Sequence, residues 1–173
     1  MFMKSLIITA ALALPALAQG PRLQINFDHL KGKAEETVNI NLDGALLEQG
    51  LKVLGEKGAT EAGLGNLKGI FIRSYQFAKA GEYSQSDVDS IRKQMTGPNW
   101  TTFVEVNKKD ETVYISAYKD QNNLGGFAIL AAEPKELTVV NIVGPLDISK
   151  LGNLGNIVPQ LKKLKPYEKK KDE

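Results

Sequence analysis

The chain has 173 residues, one histidine, no cysteine, and 22 basic against 20 acidic side chains. The missing cysteine excludes disulfide staples and thiol nucleophiles, and a single histidine excludes Cys–His catalysis and a His-rich zinc site. The near-neutral balance offers no general attraction to nucleic acid, so apolar burial must carry the stability.

The first residues read as a secretory signal. MFMK supplies a basic start through Lys4, SLIITAALALPA an apolar run too short for a comfortable membrane span, and Ala16-Leu17-Ala18 a small-x-small cleavage site. Residues 1–18 are thus expected to be removed, leaving an exported, periplasmic or secreted chain that begins at Gln19, with no transmembrane segment. FDHLKGKAEE then suggests a short helical piece bearing Phe27 and Leu30.

Val38, Ile40 and Leu42 alternate with Asn39 and Asn41, the period of a half-buried strand. Asp43 is placed to cap a helix with Leu46, Leu47, Gly50, Leu51 and Leu54 on its apolar face. Gly55 to Asn66 is a Gly-rich connection, and Leu67 to Ala78 a second strand. Ser84-x-x-Asp87 opens a helix through Val88, Ile91 and Met95 that Gly97-Pro98 ends.

Four strands follow in quick succession: Trp100 to Asn107, Glu111 to Lys119, Leu124 to Ala132 and Glu136 to Val143. Their short connections suit antiparallel hairpins. Apolar side chains on both sides of the last strand indicate strands near the sheet centre or covered on both faces. Pro145 ends the pairing, and Asp147 is placed to cap a short helix through Leu151. The order predicts an α+β fold: an antiparallel-rich sheet with a four-strand C-terminal meander and helices mainly on one face. Residues 19–161 form one domain. Residues 162–173 form a basic tail, with Lys162, Lys163, Lys165, Lys169, Lys170 and Lys171, expected to be solvated and disordered.

Few residues invite chemistry. His29 stands beside Asp28, but no G-x-S-x-G elbow supplies a triad nucleophile. The carboxylate pairs Asp87/Asp89 and Glu35/Glu36 are read as helix-start and surface charge. Neither DQNN (Asp120 to Asn123) nor GLGNLKG completes a calcium or phosphate loop. No catalytic residue, metal ligand or cofactor is therefore assigned.

One alternation points to binding. Phe71, Arg73, Tyr75 and Phe77 share one strand face; Tyr114 and Tyr118 share another, and Glu105 alternates likewise on a third strand. If helices cover the aliphatic side, this aromatic, Arg-bearing face is open to a partner. The alternative is that terminal segments cover it and Arg73 pairs with Glu105 across strands.

FDHL, LKGIFIRSYQF, GEYSQSDVDSIRKQM, GPNW and AAEPKELTVVNIVGPLDISKL together resemble the uncharacterised bacterial exported family called domain-of-unknown-function 4252. The resemblance implies an envelope location and no known activity. Many members look like lipoproteins, from which this cysteine-free chain departs. The expected function is a non-catalytic binding or interaction module of the cell envelope, its partner an envelope protein or polymer. The alternative is a hydrolase acting on an envelope or extracellular polymer through carboxylates or serine. Ligand, oligomeric state and strand order stay open.

Overall fold

Period-two alternation builds six strands that join in one antiparallel sheet of order β1-β2-β6-β5-β4-β3. The structure, a computed structural model, describes residues 20–54, 66–121 and 123–145. The expected signal, the Gly-rich connection up to residue 65, the helix at Asp147 and the basic tail lie outside the described residues.

The elements are β1 (Glu36–Asp43), α1 (Gly44–Leu54), β2 (Gly69–Gln76), α2 (Gln85–Met95), β3 (Trp100–Lys108), β4 (Glu111–Asp120), β5 (Asn123–Glu133) and β6 (Glu136–Val143). A short 3-10 turn, Asp28–Leu30, precedes β1. After β2 the chain crosses through α2 to the far edge, and the meander β3 to β6 returns until β6 lies beside β2.

Both sheet faces are apolar, so both need cover. On the first face Tyr75, Phe77, Tyr114, Tyr118, Leu130 and Leu137 pack with Val88, Ile91 and Met95 of α2. Leu23, Phe27 and Leu30, from an N-terminal strap lying over this face, complete that cluster. On the second face Ile70, Ile72, Val140 and Ile142 pack with Leu47 of α1 and with Leu67. The two described helices lie on opposite faces. The cause is local: α1 follows β1 directly and buries Leu47 on the side of Ile40 and Leu42, whereas α2 meets the aromatic side.

What holds the strap is a polar side chain in the middle of the sheet. Asn141 is fully buried on the first face. Its Oδ1 accepts the Leu23 N–H at 2.9 Å, and its Nδ2 donates to Pro21 O at 2.9 Å and Phe127 O at 3.1 Å. One amide thus ties an irregular segment to β5 and β6, and among the described residues no buried side-chain polar atom is unpaired. Glycine at 126 makes room: a Cβ there would meet Ile142 O at 2.7 Å and the Pro21 Cβ at 3.0 Å.

Replacing Asn141 by Ala strands the strap's Leu23 N–H in an apolar layer and removes the side-chain bonds to Pro21 O and Phe127 O. Chemical denaturation should show a loss of about 1–3 kcal/mol, the cost of one buried group left unpaired. A loss within about 0.5 kcal/mol, the range of an ordinary surface change, would contradict the pin.

Candidate functional site

Alternation places Phe71, Arg73 and Tyr75 on one side of β2 and Tyr114 and Tyr118 on the same side of the sheet, as the sequence suggests. That side, however, is the strap- and α2-covered first face. Phe71, Tyr75, Phe77, Tyr114 and Tyr118 are all buried. Phe27 of the strap meets Tyr75 edge-on at 5.9 Å, and Trp100 meets Tyr118 at 5.4 Å. These rings form a core, and the expected open aromatic surface is absent because terminal chain and helix close it.

Arg73 and Glu105 remain nearer solvent but do not meet. Between β2 and β3 lie three strands, so the two are four strand spacings apart, about 19 Å. Arg73 turns instead to the edge strand, donating to Ile40 O at 3.1 Å, Ile72 O at 2.9 Å and Asn41 Oδ1 at 3.0 Å. Burial depresses its pKa, yet a guanidinium stays charged, and here it clips β1 to β2. Glu105 lies 3.8 Å from Arg92 of α2, whose guanidinium stacks over the Tyr114 ring. Those two named site residues therefore hold the fold's edges.

The one histidine does reach a carboxylate and a serine, in the wrong order for catalysis. His29 Nε2 is 2.9 Å from Asp87 Oδ1, and the Ser84 hydroxyl donates to Asp87 Oδ2 at 2.7 Å. A serine nucleophile needs its proton taken by the imidazole; here the carboxylate separates them. The Ser84 N–H also donates to Asp87, at 2.8 Å, so Asp87 caps α2 while His29 fastens the 3-10 turn to it. Asp89 is bound by Gln85 and belongs to the same first turns.

A cleft of about 350 Å³ opens between the start of α2 and the β3–β4 and β5–β6 turns. Its wall includes Tyr83, Asp110, Glu111 and Glu133. The Tyr83 hydroxyl donates to Glu133 O at 2.6 Å, and Lys108 holds Glu111 at 2.8 Å. Burial first, and Glu133 second, raise the Tyr83 pKa, keeping it a neutral donor. These contacts brace the turns. Among the described residues no three His, Cys, Asp or Glu groups converge to hold a metal, and no helix is long and apolar enough to cross a membrane.

The second face is different. Along β1 and β2 it is packed by α1, with Ile70, Ile72 and Val140 buried and Val38, Ile40 and Leu42 of the edge strand half-buried. Over β3, β4 and β5 no described helix lies on it, and although Ala117 and Phe127 are buried, the side chains around them are less covered. Val104, Val106, Val113, Ile115 and Ile129 are only half-buried, while Tyr114, Leu130 and Ala128 on the opposite side of the same strands are buried. Phe103 is pushed out at a register shift in β3, sits edge-on to Phe127 at 5.8 Å, and is 52% exposed. At one end of this face a register line runs Glu36, Gln76, Glu136, Glu133 across β1, β2, β6 and β5. Alternation puts Glu111 of β4 on the same side, paired with Lys108 of β3. Glu136 also accepts from Ser74 and Thr138. The sequence shows the aliphatic alternation of this side, but the acidic line exists only once the register is set.

Partial burial pushes the Asp87 carboxyl up, but the Ser84 backbone and side-chain hydrogen bonds and the nearby His29 outweigh it and hold the pKa below the ordinary value. Its contribution is therefore complete above the unfolded carboxyl's pKa and drains away as pH falls through the lower folded value. Asp87→Asn should cost about 0.5–2 kcal/mol at neutral pH, the worth of a cap, and the difference from the unaltered chain should vanish in strong acid. A pH-independent difference in unfolding free energy would contradict the ionic cap.

No curated protein matches the chain. The family described as Domain of unknown function (DUF4252) matches residues 29–154. That span starts at the 3-10 turn and takes in every helix and strand described above, so the chain belongs to the DUF4252 family.

Proposed function

We infer that the protein is exported and works as a non-catalytic interaction module of the cell envelope, through the open half of its second sheet face. The observation that carries this reading is the exposure of Phe103 beside Val104, Val106, Val113, Ile115 and Ile129. Contiguous apolar surface with a polar rim is the usual composition of a contact site. The acidic line at its end selects a partner that combines apolar side chains with positive charge. Export is supported by the signal-like residues 1–18. The hydrolase alternative draws no support from the described carboxylates, since Asp87 caps a helix and Glu111 pairs with Lys108.

Crosslinking in intact cells, read by intact mass, tests this in one experiment. The unaltered chain should be captured in its mature form beginning at Gln19. Phe103→Asp should abolish the crosslinked product while changing stability by about 1 kcal/mol or less; Asn39→Asp on the far edge should keep it. Capture of a chain retaining Met1, or equal capture by Phe103→Asp, would overturn the reading.

A further inference from the structure

We propose that the protein pairs with a second copy of itself along β1, the two strands running antiparallel about a two-fold axis at Ile40, so that two sheets join as one. This interface lies at the opposite edge of the sheet from the Phe103 surface and does not depend on it.

The two edges of the sheet differ in a way that points to β1. Strand β3 is guarded: its pairing shifts register between Thr102 and Val104, and it ends in Lys108 beside Lys109. Bulges and lysines are the ordinary devices that stop a sheet edge from taking another strand. Strand β1 has neither. Its eight residues pair with β2 without a shift, and it contains no lysine, proline or glycine. Among the described residues no strand pairs with its outer side. An unguarded edge of that length is a template for strand addition.

Side-chain parity selects a second β1 as the added strand. In antiparallel pairing, residues directly opposite each other stand on the same face of the sheet. Two copies of β1 about an axis normal to the sheet therefore meet only with even residues against even and odd against odd. With Ile40 on the axis, Val38 meets Leu42 of the other copy and Ile40 meets Ile40, all on the second face. On the first face Asn39 meets Asn41, and Thr37 meets Asp43. Apolar groups thus oppose apolar groups, and no two charges face each other. An axis at Asn39 would set Glu36 against Leu42, and an axis at Asn41 would shorten the ladder to Asn39–Asp43.

The polar groups fit the same register. Arg73 donates to Asn41 Oδ1 at 3.0 Å, which orients that amide and leaves its NH2 group to be used. Asn39 is exposed, and its side chain has no partner among the described residues. Asn41 of each copy is then placed to donate to the Asn39 oxygen of the other. Thr37 is placed to donate to Asp43, whose charge Arg22 already offsets from 3.5 Å.

Burial agrees. Val38, Ile40 and Leu42 are only half-buried, and a second ladder would cover them. Leu46 of α1 is 58% exposed. It shares a helix row with Gly50, where a Cβ would meet Leu42 Cδ1 at 3.6 Å. Leu46 therefore lies on the edge-strand side of α1, beside the place where Val38 of the second copy would pair with Leu42. The same axis turns both Phe103 surfaces to one side of the joined sheet.

The chain has no cysteine, so one introduced thiol reports on the axis. Ile40→Cys should form a disulfide-linked dimer under mild oxidation, because directly opposed residues stand about 4.5–5.5 Å apart. Asn39→Cys should not, since its two copies would stand about 8 Å apart. Light scattering of the purified protein should give twice the chain mass for the unaltered sequence and one chain mass for Val38→Lys, with the circular dichroism of the sheet retained. A single-chain mass for the unaltered protein, absence of the Ile40→Cys bond, or a dimer that Phe103→Asp dissolves and Val38→Lys spares would overturn the proposal. The last result would assign the second copy to the meander side instead. In the cell-crosslinking experiment the dimer is a separate product of twice the chain's mass, which Phe103→Asp leaves in place while removing the partner product.

Discussion

A single buried amide decides which side of this protein is available. Asn141 stands at the centre of the sheet among Leu137, Val139 and Ala128, where an unpaired polar group would be costly. Its partners are the backbone of the N-terminal strap and of β5, so its burial is tolerated only while the strap stays in place. Strap and α2 together turn the aromatic side of the sheet into interior. The richest set of aromatic side chains in the sequence is consumed by packing, and a partner has to be met elsewhere.

That leaves the other side. The described residues supply two helices for a six-stranded sheet, and one helix spans only part of a face. Helix α1 stays over the strands it connects, β1 and β2. The meander strands β3 to β5 carry Val, Ile and Phe toward a region no described helix covers. The polar groups on this side are concentrated at one end. Glu133 and Glu136 face each other directly, an arrangement that costs stability unless positive charge or hydrogen bonds compensate. Ser74 and Thr138 both donate hydrogen bonds to Glu136 there.

Local information was written plainly in the sequence. The last four strands lie within one residue of the limits that alternation and turn residues predict. Ser84 and Asp87 mark the start of α2, and the DUF4252 assignment agrees with the resemblance carried by core and turn segments. What alternation cannot say is which side of a strand faces outward, because Tyr75 and Ile72 are equally apolar and both end up buried. Nor does it rank strands in space. Arg73 and Glu105 are plausible partners only if β2 and β3 are neighbours, and the crossover through α2 separates them. Asn141 looks like an interruption in an apolar row until the strap, more than a hundred residues earlier, supplies its partners. The acidic line is invisible for the same reason, since Glu36, Glu111, Glu133 and Glu136 come together only through register.

The account turns on the first face being sealed by a strap pinned at Asn141, and the amide hydrogen of Leu23 reports on that pin directly. Hydrogen exchange should find it protected to a degree comparable with the β6 amides, although it lies in a segment without helix or strand. Exchange at the rate of an unstructured chain would mean that the strap is loose, the aromatic face open, and the assignment of the contact surface to the second face unsupported.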